Sequence, residues 1–478
     1  MISLVKTMTI VVLAGMNSGA FAQDSTPDHT VDLCDASYAN FGNAQFKVAV
    51  KGNLYAFPWP GSSASHEFFT VKYQGDGILP DITYFDPVPS GFEGSVAFTD
   101  DFLIYSVDNA DDPVSGDRTG VSVVYELDHE SGDLTESVRL YPATPGYDNT
   151  LLASRPPLDS DSDHFVFSIN FSSGNLNRTS VYAFDGSSWS LDGQIDRSSS
   201  AVVLSVAIED GLLVIAYSDG QVDVYERGAS SWTYQDSISP ITHSDITASS
   251  NFGFDTDIHG TLIAVSDRFA EYDPSDPSID ARMGACYIYS YNSGSVSDET
   301  VLYEYSGSTG SESLFGNSID FADDGSALVV GAPAFDRTAN TYYEEGAAFV
   351  YDTSNFGAGG EMYTDSSHDQ YSNNIFGETV TFSGNALNIF NTKFDLSVFG
   401  ACTPSGNGIG ISIFDALSIM PCNDADLTQP YGQLDFYDVS AFLVAYSAMD
   451  PIADWDSNGS YDFFDVAGFL GDFNTGCP

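Results

Sequence analysis

The segment Asp454-Trp455-Asp456-Ser457-Asn458-Gly459-Ser460-Tyr461-Asp462-Phe463-Phe464-Asp465 is the part of this sequence best equipped for chemistry. Side chains bearing oxygen fall at positions 1, 3, 5, 9 and 12 of a twelve-residue loop: Asp454, Asp456, Asn458, Asp462 and Asp465. Ser460 at position 7 offers its backbone carbonyl. Gly459 at position 6 stands where such a loop must turn sharply. Hard oxygens at this spacing wrap around one Ca2+ ion, which takes roughly six to eight of them. An acidic turn with no metal to hold would rarely place every ligand position correctly, so the expectation is one calcium site.

No catalytic constellation matches it. The seven histidines (His29, His66, His129, His164, His243, His259 and His368) form no HExxH pair. There is no GxSxG elbow and no phosphate-binding loop with its lysine. Gly406-Asn407-Gly408-Ile409-Gly410 lacks the helix that a dinucleotide site needs. Among 68 Asp and Glu a carboxylate pair for glycoside hydrolysis could assemble in space, but spacing singles out none. No catalytic residue and no organic cofactor is nominated.

Those 68 acids face only 14 Lys and Arg, a formal charge of −54 over 478 residues. Nucleic-acid binding needs a basic footprint, and attraction to anionic lipid needs the same, so both are excluded. With 42% apolar residues the chain is not a disordered acidic tail. Aromatics at 14% and 43 Gly favour strands joined by tight turns. Lys6, the apolar run Ile10 to Ala14 and the small-x-small triplet Ala20-Phe21-Ala22 read as a bacterial secretory signal over residues 1–22. No other run is long enough to span a bilayer. The expected location is secreted, extracellular or at the cell surface. Five cysteines remain for an exported chain, Cys34, Cys286, Cys402, Cys422 and Cys477, and none forms a CxxC.

The loop needs a helix behind it. Val466, Phe469, Leu470 and Phe473 follow Asp465 at helical spacing. Val439, Phe442, Leu443 and Tyr446 follow Asp438 in the same way, 27 residues earlier. This duplicated loop-plus-helix unit resembles a dockerin, an EF-hand-like calcium module, and Cys422 with the Gly476-Cys477-Pro478 ending resembles the tails of planctomycete-like exported proteins. The resemblance implies docking onto a cohesin-like or cell-envelope protein through the helices, and a Cys422–Cys477 clamp. The first loop, Asp426 to Asp438, is one residue too long, so Asp426, Asp435 and Asp438 are expected to bind weakly at best. Phe436-Tyr437 and Phe463-Phe464 occupy positions where cellulosomal dockerins carry small polar residues. They are either an aromatic contact patch or core filling.

Upstream the chain repeats. An apolar strand ending in an aromatic recurs seven times: Phe69–Tyr73, Val121–Tyr125, Val181–Phe184, Val222–Tyr225, Tyr287–Tyr289, Ala348–Tyr351 and Ile411–Phe414. An earlier strand precedes each: Phe46–Val50, Phe102–Val107, Phe165–Ile169, Leu212–Ala216, Leu262–Val265, Leu328–Val330 and Leu387–Phe390. Residues 31–420 give about 56 residues per unit, the size of a four-stranded propeller blade. Phe315-Gly316, Gly331-Ala332-Pro333 and Phe349-Val350-Tyr351 resemble the FG-GAP repeat of integrin-α-type β-propellers, with echoes at Phe252-Gly253, Phe376-Gly377 and Phe41-Gly42. The glycines of that signature serve tight turns and close approach of sheets. Such propellers often bind calcium in DxDxDGxxD loops. Residues 31–420 contain no clean copy, and Asp108 to Asp112 and Asp273 to Asp276 have the wrong spacing. Because propellers bring their chain ends together, a Cys34–Cys402 disulfide would staple the ring. Cys286 would then be the odd thiol, buried in a strand.

The sequence therefore reads as all-β: a seven-bladed β-propeller over 31–420, joined to a small α-helical calcium-binding module over 421–478. The expected function is non-enzymatic, a binding or surface-assembly protein whose propeller takes a protein or glycan ligand. The alternative is a secreted propeller enzyme acting on polysaccharide and anchored through the tail.

Overall fold

The computed structural model describes residues 29–33, 48–58, 68–72, 81–85, 94–107, 110–114, 116, 119–129, 131–142, 156–171, 176–229, 231–272, 282–304, 313–335, 346–364, 375–384, 386–393, 408–415, 425, 427, 434, 436–449, 451–453, 455 and 460–475. The strands form seven four-stranded antiparallel sheets and one small two-stranded pairing, Ile246–Thr247 with Glu271–Tyr272. Each sheet is one blade. Blade 1 runs Ala49–Lys51, Leu54–Pro58, Phe68–Lys72 and Asp81–Phe85 from its inner to its outer strand. Blades 2 to 6 repeat this meander. Blade 7 takes Ile375–Ser383, Ala386–Lys393 and Gly408–Asp415 from the end of the propeller and its outer strand, His29–Leu33, from the beginning.

That borrowed strand closes the ring. His29–Leu33 pairs antiparallel with Gly408–Asp415 from His29↔Ile413 to Leu33↔Ile409. Backbone hydrogen bonds therefore join the two ends of the propeller. Cys34 and Cys402 lie outside the described residues, as do Cys422 and Cys477. Cys286 is a free thiol, fully buried in the third strand of blade 5, as expected.

Strand position explains composition. The second and third strands of each blade have neighbours on both sides and a blade stacked on each face. Phe102–Val107, Leu212–Tyr217 and Ala327–Ala332 are buried along their whole length, and such strands read as continuous apolar runs. Outer strands such as Leu134–Leu140 and Ser295–Leu302 meet solvent and alternate with polar residues. In blades 2, 3, 4 and 5 the pairing of third and fourth strands shifts register just before an aromatic: Tyr125, Tyr182, Tyr225 and Tyr289. A bulge at that point bends the outer strand and deepens the blade's twist, and the recurring aromatic marks it. One expected strand is corrected. The partner of Phe68–Lys72 is Leu54–Pro58, not Phe46–Val50. The tight turn at Gly52 and Asn53 folds Ala49–Lys51 back as the inner strand.

Seven apolar clusters hold the ring, each drawn from two adjacent blades. The one between blades 7 and 1 joins Phe390 and Ile411 to Tyr55, Phe57 and Phe69, so no interface is missing. The Phe-Gly pairs sit at these seams. Phe315 and Phe376, both buried, bridge in parallel to Gly284 and Gly346 of the preceding blade. The second signature glycine meets the first across the seam: a Cβ on Gly331 would strike the carbonyl oxygen of Gly377. The Gly-Ala-Pro and Phe-Gly elements are thus two sides of one close contact between sheets.

A titratable group lies at the seam of blades 5 and 6. Tyr351 Oη donates to Glu304 Oε1 at 2.9 Å, and burial pushes the Glu304 carboxyl from 4.5 up to about 7. Below pH 4.5 this acid is protonated folded and unfolded, and carries no penalty. Between pH 4.5 and about 7 the unfolded chain is ionised while the buried carboxyl stays protonated, so stability falls across that window and the loss is complete above pH 7. Glu304→Gln is expected to remove that loss. Its stability advantage over the parent should grow by up to roughly 3 kcal/mol between pH 4.5 and pH 8. Urea denaturation at the two pH values checks this, and an advantage independent of pH contradicts it.

Beyond the ring are two helices, α1 (Phe436–Ala448) and α2 (Phe463–Thr475), with an apolar cluster of their own. No helix among the described residues is long and apolar enough to cross a membrane.

Candidate metal centre and axial channel

Helix α2 starts on a reciprocal cap. Asp462 Oδ1 accepts the Phe464 N–H at 2.8 Å, and Asp465 Oδ2 accepts the Asp462 N–H at 2.7 Å. This satisfies two donors that a helix start would otherwise leave open. Asp465 is fully buried. Asp438, the third residue of α1 as Asp465 is of α2, is fully buried too. A buried carboxylate needs a counter-charge, and residues 421–478 contain ten Asp but no Lys, Arg or His. The module has no cation of its own to supply. The ligand positions of the loop Asp454 to Asp465 carry oxygen donors alone, a set that fits a hard divalent ion. Of the expected ligands, Asp465 is buried, while Ser460 and Asp462 are exposed just before α2. Asp454, Asp456 and Asn458 lie outside the described residues, as do Asp426 and Asp435.

The helices pack through Phe442 and Phe469, stacked at 4.1 Å between ring centroids and 8° between planes. Trp455 stands edge-on to both and donates its indole N–H to Asp472 Oδ2 at 2.7 Å. Val439, Tyr446, Val466 and Phe473 complete the core. Leu443 and Leu470, expected on that face, are about half exposed instead. The rings of Phe442 and Phe469 fill the contact, and the next residue on each helix rotates outward. Phe463 and Phe464 are exposed at 74% and 67%, so this pair is not core filling. Seven of the ten large apolar side chains that the described residues expose lie between Leu443 and Leu470.

In the propeller, the inner strands of blades 1, 2, 3, 5, 6 and 7 surround an axial space of about 160 Å³. Asp159, Asp255, Asp257 and Asp320 line it and also tie neighbouring blades together. Each accepts a backbone N–H from the next inner strand: Asp159 from Ile208 at 2.8 Å, Asp255 from Ile319 at 3.0 Å, Asp257 from Phe321 at 2.6 Å and Asp320 from Phe382 at 2.6 Å. Inner strands of different blades share no ladder, so side-chain acceptors satisfy these donors. None of the four was singled out from sequence. The available signal was an acid among apolar residues a few positions before each second strand, as in Leu158-Asp159 and Ile319-Asp320-Phe321.

Three histidines at strand turns pair with acids at or beside the turns between first and second strands, His129 from the turn between third and fourth strands and His164 and His259 from the turns between first and second. His129 pairs with Asp101, His164 with Asp161 and Asp163, and His259 with Glu209 of the neighbouring blade. Asp161, Asp163 and His164 are close enough to share an ion. They pair with one another through one ring nitrogen: His164 Nδ1 lies 2.6 Å from Asp163 Oδ1, and the Asp161 hydrogen bond holds the imidazole above its ordinary range despite burial, while the buried Nε2 has no hydrogen-bond partner. This cluster serves the turn.

No protein-family model matches the chain, and no curated protein matches its sequence.

Proposed function

We propose that this is an exported, non-enzymatic binding protein in which calcium orders the C-terminal module, the module docks onto a protein partner, and the propeller presents a ligand face. The observation that carries the docking role is the apolar surface of α1 and α2: Leu443, Val444, Phe463, Phe464 and Leu470 are all exposed. Soluble proteins rarely expose such a patch without a partner for it. The module's ten Asp and lack of basic residues point to a partner with an apolar hollow rimmed by Lys or Arg. A cohesin-like or cell-envelope protein would suit. Calcium is assigned from the oxygen spacing of Asp454, Asp456, Asn458, Ser460, Asp462 and Asp465, supported by the burial of Asp465 in a segment without cations. Export rests on Lys6, the apolar run Ile10 to Ala14 and the small-x-small triplet Ala20-Phe21-Ala22.

The full chain is expected to capture a partner from an envelope or secreted fraction in calcium and to release it in EDTA. Phe463→Ser combined with Phe464→Ser should weaken capture at least about tenfold, because exposed aromatic anchors dominate such contacts. Calcium binding by this variant should be unchanged. Capture that ignores EDTA, or that survives the double substitution, defeats the docking reading.

A further inference from the structure

In a chain this acidic, arginines find carboxylates. Arg139 pairs with Glu136, Arg178 with Asp196, Arg197 with Asp219 and Arg227 with Asp192. Arg268 pairs with none among the described residues. Its guanidinium is held between two rings, 3.8 Å from the centroid of Phe254 and 4.7 Å from that of Phe269. Nη1 donates to the amide oxygen of Asn317 at 3.2 Å, and the enclosed Nε has no hydrogen-bond partner. Aromatic faces orient a guanidinium without neutralising it. Most of this side chain's five donors are therefore unspent in a half-buried place, and such donors call for an explanation.

Its position supplies one. Phe254 and Asn317 immediately precede Asp255 and Ser318, which line the axial space. Asn317 Nδ2 in turn donates to the carbonyl of Glu378 at 2.8 Å, one residue before the lining Thr379. Arg268, Asn317 and Glu378 thus form a hydrogen-bonded chain that does not itself line the space but lies next to its lining residues, at the mouth where the inner strands of blades 5 and 6 begin.

We propose that Arg268 anchors a single carboxylate group of a ligand at this mouth. A planar guanidinium takes a carboxylate through paired hydrogen bonds. The volume of about 160 Å³ suits a short acid or a chain terminus. Asp255, Asp257 and Asp320 within the channel repel further negative charge, so the ligand is a monoanion. The protein's overall charge disfavours anions, and contact with Arg268, which has no carboxylate partner among the described residues, offsets this. The proposal deepens the ligand-presenting role of the propeller. Docking through the tail does not involve Arg268, so either can fail alone.

Ligand-observed NMR titration of the full chain tests it with three probes: propionate, N-acetyl-triglycine and the C-terminal amide of N-acetyl-triglycine. Binding of propionate identifies a small free acid as sufficient. Binding of N-acetyl-triglycine alone identifies a peptide-like terminus. In both cases the amide should not bind. Arg268→Gln should weaken the bound probe by about 10- to 100-fold, the range for hydrogen bonds to a charged group. Arg268→Lys, which keeps the cation over the rings but loses the fork, should fall between. Arg197→Gln should change nothing. Failure of both acids to bind the parent chain, equal binding of the amide, or binding untouched in a folded Arg268→Gln protein overturns the proposal.

Discussion

Gly377→Ala is expected to lower the stability of the propeller by about 2–5 kcal/mol, more than the same change at Gly384 of blade 7. Two costs combine. Gly377 has φ 84°, a region that an L-residue enters at about 1–2 kcal/mol. A Cβ there would also run into the carbonyl oxygen of Ala347 in blade 6 and come within 3.3 Å of the Ala332 nitrogen. Both obstacles are backbone in packed strands, so neither can swing aside. Gly384 separates the two costs. It has φ 57° but nothing within 4 Å of a Cβ, so Gly384→Ala should cost only about 1 kcal/mol. Urea midpoints of the two variants give the comparison. Equal losses would mean that the Phe-Gly seam is not the close contact described above.

Asp465→Ala is expected to weaken calcium binding by the full chain about 100-fold or more, ~2.7 kcal/mol. It removes the buried carboxylate that no basic residue of the module can neutralise. It also removes the acceptor for the Asp462 N–H, which should cost α2 about 1 kcal/mol with or without calcium. Asp465→Asn distinguishes these effects, since the amide oxygen can still take that hydrogen bond while the charge is gone. Calorimetric titration should find calcium affinity lost in both variants, with helix content in EDTA reduced only in the alanine variant. An isotherm unchanged from the parent would remove Asp465 from the metal centre.

The propeller was legible because burial writes itself into the middle of each blade. All seven third strands and six of the seven second strands stand where the apolar runs placed them, from Phe102–Val107 to Gly408–Asp415. First and fourth strands were not legible for the complementary reason. Leu158–Ser160 and Ile319–Phe321 are short and face an axial space, where side chains such as Asp159, Ser160, Ser318 and Asp320, not a strand ladder, join them to neighbouring blades. Trp189–Ser198 faces solvent along one side and carries the composition of a loop. The seventh blade's outer strand could not be found by looking for a repeat, since His29–Leu33 lies nearly four hundred residues from the strand it pairs with.

In the tail, the order of residues alone determined the oxygen spacing of Asp454 to Asp465 and the 27-residue duplication, because a metal loop and a helix cap are built from neighbours in the chain. It left open whether the aromatics beside them face inward or outward. Tertiary structure decided that. Once Phe442 and Phe469 stack, the core between two short helices is full, and Leu443, Leu470, Phe463 and Phe464 are left at the surface. The same division holds for Arg268: its charge is written in the chain, but its place at the channel mouth depends on three blades meeting around an axis. Local spacing sets what a segment can bind. Which side chains remain unpaired is set by packing between segments far apart in sequence, and periodicity carries no record of that packing.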